Sequence, residues 1–361
     1  MTDESPIRAG IVGLSWIAAD PARPASSPEL GTAGPYSHAS AMAALGDIDV
    51  RAVCDLDAPA RASFMTRWRE TWPAVRAFAG FDEMLAEPLD LVAIVTPDHL
   101  HGRMILQCLD AGVPMIFSEK PFTTSLTEAD DILDRIAETG ATVSINHTWR
   151  WRPEVAEAVS IARSGRLGPL SHLVIEAGGP RAMLYRNLSH FLDLAIHITG
   201  SEPQWVIGEL EAGTGDYGLR YAGDGGRDPA LDPGAIAMIG FKGGVRAYVA
   251  GVKSSVPDVV VQVVCRDGRI TIDPLGSRTV TVPRTGDGTP GTGSGATIQP
   301  LKPRFTMWGM QAAIADLIDS HRRGVETSGS ARSARWTVAV IDAILRSHAA
   351  DSARVEVPPP N

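Results

Sequence analysis

Cysteine is scarce in this chain of 361 residues: Cys54, Cys108 and Cys265 stand far apart, with no CxxC pair. That argues against a disulfide framework and a cysteine-based zinc site. It fits a reducing compartment, so a cytoplasmic location is expected. Long apolar runs are also missing. No stretch approaches the roughly 18 consecutive apolar residues of a spanning helix, so no membrane insertion is expected. The N-terminal Thr2, Asp3, Glu4, Ser5 and Pro6 lack the basic-then-apolar order of a secretory signal. Basic residues are outnumbered, 33 against 42 acidic, for a formal charge of −9. This argues against nucleic acid as the main partner. What is present, 44% hydrophobic and 21% charged residues, is globular in character. The length suits two domains at roughly 100–200 residues each.

Short apolar runs punctuate the first part of the chain at residues 7–13, 48–54, 89–95, 113–117 and 141–145, with a weaker one at 75–78. Near-continuous apolar runs, not alternating ones, are what a parallel sheet covered on both faces requires. Between them, residues 98–112 place Leu100, Met104, Ile105, Cys108 and Leu109 on one helical face and stop at Gly112. Residues 125–140 open on a capping box, Ser125-x-x-Glu128, and stop at Gly140. Repeated strand–helix–strand units predict right-handed crossovers and a Rossmann, doubly wound sheet over residues 1–147.

From 148 to 361 the pattern changes. Helices are expected at 153–165 and 188–200, with strands at 170–177, 205–211, 235–241, 245–252, 259–266, 269–272 and 279–282. Turn signals such as Lys242-Gly243-Gly244 and Asp267-Gly268 join several of them. Helices near 310–323 and 336–348 follow, and residues 20–35, 213–234 and 284–300 read as loops. The expected fold class is α/β: the Rossmann unit, then an α+β domain with a large, mostly antiparallel open sheet. An exposed face of that sheet would suit a homo-oligomer, dimer or tetramer.

The first run leads into Gly13-Leu14-Ser15-Trp16-Ile17-Ala18. A dinucleotide-binding turn needs a glycine for the bend, a second where backbone approaches pyrophosphate, and a small residue where helix packs on strand. Gly13 and Ala18 fit two roles; Ser15 carries a Cβ in the middle one. Residues 20–35 then interrupt the helix, which restarts near Ser37-His38. A glycine turn of any α/β domain is the competing reading. Asp55 follows the second run, where a carboxylate can accept hydrogen bonds from an adenosine ribose and repel a 2′-phosphate, so NAD is expected over NADP. A surface-loop aspartate is the alternative there.

Two further segments sit after apolar runs, where open α/β sheets bind ligands: Thr96-Pro97-Asp98-His99-Leu100-His101 and Ser118-Glu119-Lys120-Pro121. Together with Gly13, Asp55, Arg150-Trp151-Arg152-Pro153, Gly165-Arg166-Leu167-Gly168-Pro169, His190-x-x-Asp193 and Arg354-Val355-Glu356-Val357-Pro358, they resemble the Gfo/Idh/MocA family of glucose–fructose oxidoreductase, inositol dehydrogenase and relatives. The resemblance implies an NAD(P)-dependent oxidoreductase that moves hydride between nicotinamide and a secondary alcohol of a sugar, cyclitol or other small polyol. It assigns Lys120 to the reacting hydroxyl beside the nicotinamide, and Glu119 to the nicotinamide end of the cofactor. Thr96, Pro97 and His101 would line the cofactor cleft with Gly13, Ser15, Trp16, Ile17 and Asp55. His190 would accept the hydroxyl proton, with Asp193 one helical turn later, and Lys120 and His190 are expected to converge on one pocket.

Helical geometry adds an independent point. At 100° per residue, His190, Asp193 and His197 fall within about 60° of one another on an otherwise apolar segment. Such a stripe faces a wet cleft or a polar partner; a satisfied core network and a metal site are the other readings, and no metal is expected. The family often carries Asp four residues before the histidine, where this chain has Arg186. Arg150, Arg181, Arg186 and His197 are candidate substrate contacts, with a solvated-face alternative for each of the three arginines. Ser15, the 20–35 segment and Arg186 keep open a non-catalytic relative, a sensor or accessory protein that binds nucleotide weakly or not at all.

Overall fold

Every residue of the strands Leu91–Ile94 and Met115–Ser118 is buried, as a sheet with helices on both faces demands. A computed structural model of the chain describes residues 5–20, 35–214, 217–255, 258–273, 278–283, 296–302, 307 and 309–360, without the side chains of Trp16 and Pro283. Most of the expected loops 20–35 and 284–300 lie outside the described residues. The described residues group into two units, one within 1–148 and 307–338, the other within 149–306 and 339–360.

In the first unit the elements run β1 (Ile7–Val12), α1 (Trp16–Ala19), α2 (His38–Leu45), β2 (Ile48–Cys54), α3 (Ala58–Trp68), β3 (Arg76–Phe78), α4 (Phe81–Leu85), β4 (Leu91–Ile94), α5 (His101–Asp110), β5 (Met115–Ser118), α6 (Leu126–Thr139) and β6 (Thr142–Ile145). The six strands are parallel in the order β3-β2-β1-β4-β5-β6. The order reverses between β1 and β4, so their carboxyl ends flank the crevice where such sheets take ligands.

The helix expected at 98–112 begins as a single 3-10 turn, Asp98–Leu100, before α5. Helix α6 starts at Ser125, whose hydroxyl accepts from the Glu128 N–H. The reciprocal half of the expected capping box does not form. Instead the Glu128 carboxyl lies over Gly102, where a Cβ would come within 2.2 Å of it. Tertiary packing of α5 on α6 has taken that side chain from its local partner.

The second unit opens with α7 (Pro153–Arg163), β7 (Leu170–Gly178), one π-helical turn at Leu184–Leu188, and α8 (Ser189–Thr199). There follow β8 (Pro203–Leu210), β9 (Ala235–Phe241), β10 (Arg246–Val252), β11 (Val259–Cys265), β12 (Gly268–Ile272), β13 (Arg278–Pro283) and β14 (Ala296–Pro300). The last of these lies in a segment expected as loop; it pairs with β13, yet all five of its residues are exposed, which is why no apolar pattern marked it. With β15 (Val355–Glu356) they form a nine-stranded sheet, β14-β13-β12-β11-β7-β10-β9-β8-β15. Only the β7–β10 pair is parallel.

Helices α7 and α8 cover one face of this sheet. On the other, Ile236, Tyr248 and Val252 are 58%, 45% and 50% exposed, in line with the alternating burial of a one-sided sheet. Where the sequence expectation closed the first domain at 147, the structure adds α9 (Gly309–Arg323) and α10 (Ala331–Ala349) as far as Val338 to the first unit. Helix α9 packs on α2, β5 and β6. Arg335, 1% exposed, forks onto Asp130 of α6 at 2.7 and 3.0 Å. From Ala339 onward α10 belongs to the second unit, where Ser347 Oγ accepts from the Gly208 N–H at 2.9 Å. No helix among the described residues is long and apolar enough to cross a membrane.

Candidate functional site

In the first unit, four strand ends carry the sequence-predicted residues. Gly13 follows β1 with φ +82°, a conformation open mainly to glycine. A Cβ there would lie 2.4 Å from the Val95 carbonyl oxygen, so the turn crosses too close to the end of β4 for any side chain. The Gly13 N–H donates to Cys54 O, and the Leu14 N–H donates to Asp55 Oδ2 at 2.7 Å. Strand pairing thus brings Asp55 onto the glycine turn despite the long segment between them. Its Oδ1 accepts from the Asp57 N–H; each oxygen has spent one lone pair, which leaves acceptor capacity for a diol. Ser15 is exposed and Ile17 partly so, while Ala18 is fully buried, in the role of the small packing residue.

Thr96 and Pro97 follow β4 and are partly exposed. His101 is completely buried. Its Nε2 lies 2.8 Å from the Thr96 carbonyl oxygen and its Nδ1 2.7 Å from that of Pro121, so its ring ties the loop after β4 to the loop after β5. The Lys120–Pro121 peptide bond is cis. Backbone bonds extend the ladder past the strands: Glu119 N–H to Ile94 O, and Asn146 N–H to Ser118 O, both 2.8 Å.

Sequence reasoning missed two members of this edge. His38 Nε2 lies 3.0 Å from Glu119 Oε1, and Asn146 Nδ2 donates to the same oxygen at 2.6 Å. His38 opens α2 directly after the interruption, and Ser37 Oγ donates to Asp20 O, closing that excursion at its base. Burial pushes the Glu119 carboxyl up. The hydrogen bond and positive field of His38, the Lys120 charge and the Asn146 bond outweigh it and bring the group down to about 2. A histidine at the restart of an interrupted helix was the available signal, but nothing in the sequence ties it to residue 119.

In the second unit, His190 is partly buried on α8 and Asp193 is fully buried. Asp193 takes both arms of Arg150: Nε to Oδ2 at 2.7 Å and Nη2 to Oδ1 at 2.6 Å, with side chains 4% and 0% exposed. One polar partner of the predicted stripe is therefore a bidentate arginine. Burial, then the charge of Arg150, lowers His197 to about 4 against the opposing pull of Asp193, which keeps that imidazole neutral near pH 7. Arg186 donates to Gly225 O at 2.8 Å and Arg181 to Gly226 O at 2.5 Å. Arg186 thereby ties the 217–234 loop to the π-helical turn that precedes His190, and Arg181 ties it to the segment just before that turn. Asp232 from that loop accepts from the Tyr185 N–H. The three cysteines are buried and free, and burial raises the Cys54 thiol to about 11.

Residues 7–147 match a family model described as an oxidoreductase family with an NAD-binding Rossmann fold. Among curated proteins, the chain is 28% identical over 214 residues to scyllo-inositol 2-dehydrogenase (NAD(+)) of Bacillus subtilis, 55% of this chain and 60% of that one. It is 33% identical over 135 residues to UDP-N-acetylglucosamine 3-dehydrogenase of Acidithiobacillus ferrooxidans, 36% and 41% of the two chains. These matches span 41–60% of the curated relatives' length. The solved structure of the Acidithiobacillus enzyme superposes with a TM-score of 0.69 at 22% identity, covering 94% of this chain and 99% of that one, a likeness of fold. Gly13, Asp55 and Glu119-Lys120-Pro121 all lie on the matched segment, so the likeness to the Gfo/Idh/MocA oxidoreductase family model is carried by residues 7–147.

Proposed function

We propose that the chain is an NAD(P)-dependent dehydrogenase, with NAD preferred, acting on a secondary alcohol or ketone of a sugar, cyclitol or related polyol. The observation that carries this reading is the assembly of Gly13, Asp55 and the doubly anchored Glu119 on the carboxyl edge of one parallel sheet. The residues fit the cofactor on two counts: a turn that a Cβ would fill, and an acid at the ribose position with lone pairs to spare. Bound nicotinamide would supply the hydride acceptor or donor. Lys120 would polarise the substrate hydroxyl, and His190 would take its proton in oxidation and return it in reduction. Thr96 and Pro97 would line the cofactor, while buried His101 would act by joining their loop to Pro121. The Arg150–Asp193 pair would fix the helix that presents His190. Titration of tryptophan fluorescence with NADH and NADPH, followed by a screen of sugars and cyclitols with both oxidised cofactors, tests the reading; no saturable binding of either overturns it.

Asp55 decides between the two cofactors. Asp55→Asn keeps an oxygen for the Leu14 N–H but removes the charge that repels a 2′-phosphate. The expected result is about a tenfold loss of discrimination, roughly 1.4 kcal/mol, read as the ratio of NADPH to NADH dissociation constants. An unchanged ratio would remove Asp55 from the cofactor site.

We also propose that the chain acts in the cytoplasm as a homo-oligomer, built on the open face of the nine-stranded sheet. Met238, Tyr248, Val174 and Gln262 form one row across that face, and Ile236, Ala250, Glu176 and Val260 another. Most are apolar where a solvent-facing row would be polar, as expected of a surface that meets a second copy. Tyr248→Glu in mid-row is expected to reduce the mass in light scattering to that of one chain. A wild-type protein already monomeric at micromolar concentration would refute the assignment.

A further inference from the structure

His38 is completely buried at the start of α2, a segment that reaches this edge only after the interruption at 20–35. Its Nε2 and the Asn146 Nδ2 converge on a single atom, Glu119 Oε1. The Glu119 side chain retains 13% of its surface, and because both bonds fall on Oε1, the lone pairs of Oε2 are what an incoming donor can use. The second polar atoms of both partners, His38 Nδ1 and Asn146 Oδ1, are buried with no hydrogen-bond partner among the described residues. Two such atoms in one network cost stability, and an arrangement kept at that cost asks for a role beyond packing. The ring also lies 5.3 Å from that of Phe117 on β5, which fixes its plane.

We propose that His38 and Asn146 are positioning residues that clamp one oxygen of Glu119, keeping it an anion whose other oxygen accepts a hydrogen bond from the nicotinamide half of the cofactor. The inference deepens the dehydrogenase reading and rests on it. The clamp acts against burial. A carboxyl group in such a place is driven toward its neutral form, and a neutral Glu119 would hold a proton where an acceptor is needed. The titratable groups acting on Glu119 are His38 from α2 and Lys120 from its own loop; from β6 comes the neutral Asn146 amide.

With the clamp intact, Glu119 stays ionised down to a pH of about 2, so NAD+ affinity is flat across the range in which a protein of this kind can be handled. His38→Phe keeps an aromatic ring against Phe117 but removes the hydrogen bond and the positive field. Burial then raises the carboxyl, and affinity falls as the pH drops through its new value. Asn146→Ala, changed on a different strand, removes only a hydrogen bond and moves the limb in the same direction by less.

The experiment is NAD+ binding, followed by tryptophan fluorescence between pH 4.5 and 8 on the full chain, with circular dichroism confirming the fold of each variant. The expected result is a flat profile for the wild type and a loss approaching tenfold per pH unit on the acid side for His38→Phe. A shallower limb is expected for Asn146→Ala, and partial recovery for His38→Gln, which restores a donor. Flat profiles for both His38→Phe and Asn146→Ala overturn the clamp; should one fail to fold, a flat profile in the other does so alone. Glu119→Gln separates the clamp from the assignment of Glu119 to the cofactor. If it binds NAD+ as well as the wild type at every pH, or if the wild type does not bind NAD+, the assignment of Glu119 to the cofactor is wrong and the clamp falls with it. If Glu119→Gln binds more weakly while the clamp variants stay flat, the dehydrogenase reading stands and only the clamp is refuted.

Discussion

Lys120→Ala is expected to lower kcat for oxidation of a sugar or cyclitol by about 10²- to 10³-fold, the usual loss when a single donor to a developing oxyanion is removed. The residue lies two positions beyond the end of β5, is partly exposed, and sits between anchored Glu119 and Pro121, whose carbonyl oxygen meets the His101 ring. Its backbone is thus set by the same loop that His101 ties to Thr96. An ammonium group held there contributes mainly when charge develops on the substrate oxygen, so the effect should fall on kcat more than on the KM for substrate. Steady-state kinetics with the best substrate of the screen gives the answer. Full turnover by the variant would remove Lys120 from the chemistry.

The second large effect is on stability. Arg150→Met leaves the fully buried Asp193 carboxylate without the two hydrogen bonds it now takes from that arginine. Removing one partner of a buried ion pair costs about 3–5 kcal/mol. At about 2–4 °C per kcal/mol for a unit of this size, the melting transition of the second unit should fall by roughly 10 °C. Arg150→Met combined with Asp193→Leu should recover most of the loss, because replacing both members of a buried ion pair by apolar groups leaves neither charge of that pair behind. Differential scanning calorimetry distinguishes the cases. A single variant melting with the wild type would show that the pair carries no stability.

The parallel sheet was legible because its chemistry is local. Residues 7–13, 48–54, 89–95, 113–117 and 141–145 each correspond to a strand of the first unit, since burial on both faces writes an unbroken apolar run. The second sheet was legible from turns and alternation, down to β9 at residues 235–241. Strand β14 escaped because an exposed edge strand has no apolar face to record. Helix α9 showed its amphipathic period, but a period states only that one face is covered. It does not state by what, and the first unit supplies the cover.

The site divides in the same way. Gly13 was legible as a turn glycine ending an apolar run, and the structure gives that turn its reason in the close Val95 carbonyl; Glu119-Lys120 was legible as a charged pair after an apolar run. His38 did not, because its partner lies 81 residues away and the intervening interruption hides the helix it belongs to. Nor did the fork between Arg150 and Asp193, 43 residues apart, which reads in sequence as two separate charges.

The amino-acid sequence by itself determined the two-part fold class, the strand ends that carry the glycine turn and the Glu-Lys-Pro edge, and the family those motifs resemble. Each of these follows from periodicity and from backbone demands acting over a few residues. Only the tertiary structure decided which polar groups are spent on one another: Asp193 on Arg150, Glu119 on His38 and Asn146, Asp55 on the Leu14 N–H. The reason is that hydrogen bonds and ion pairs act over a few ångströms in space, and proximity in space between distant residues is a product of the folded chain, with no local pattern to announce it.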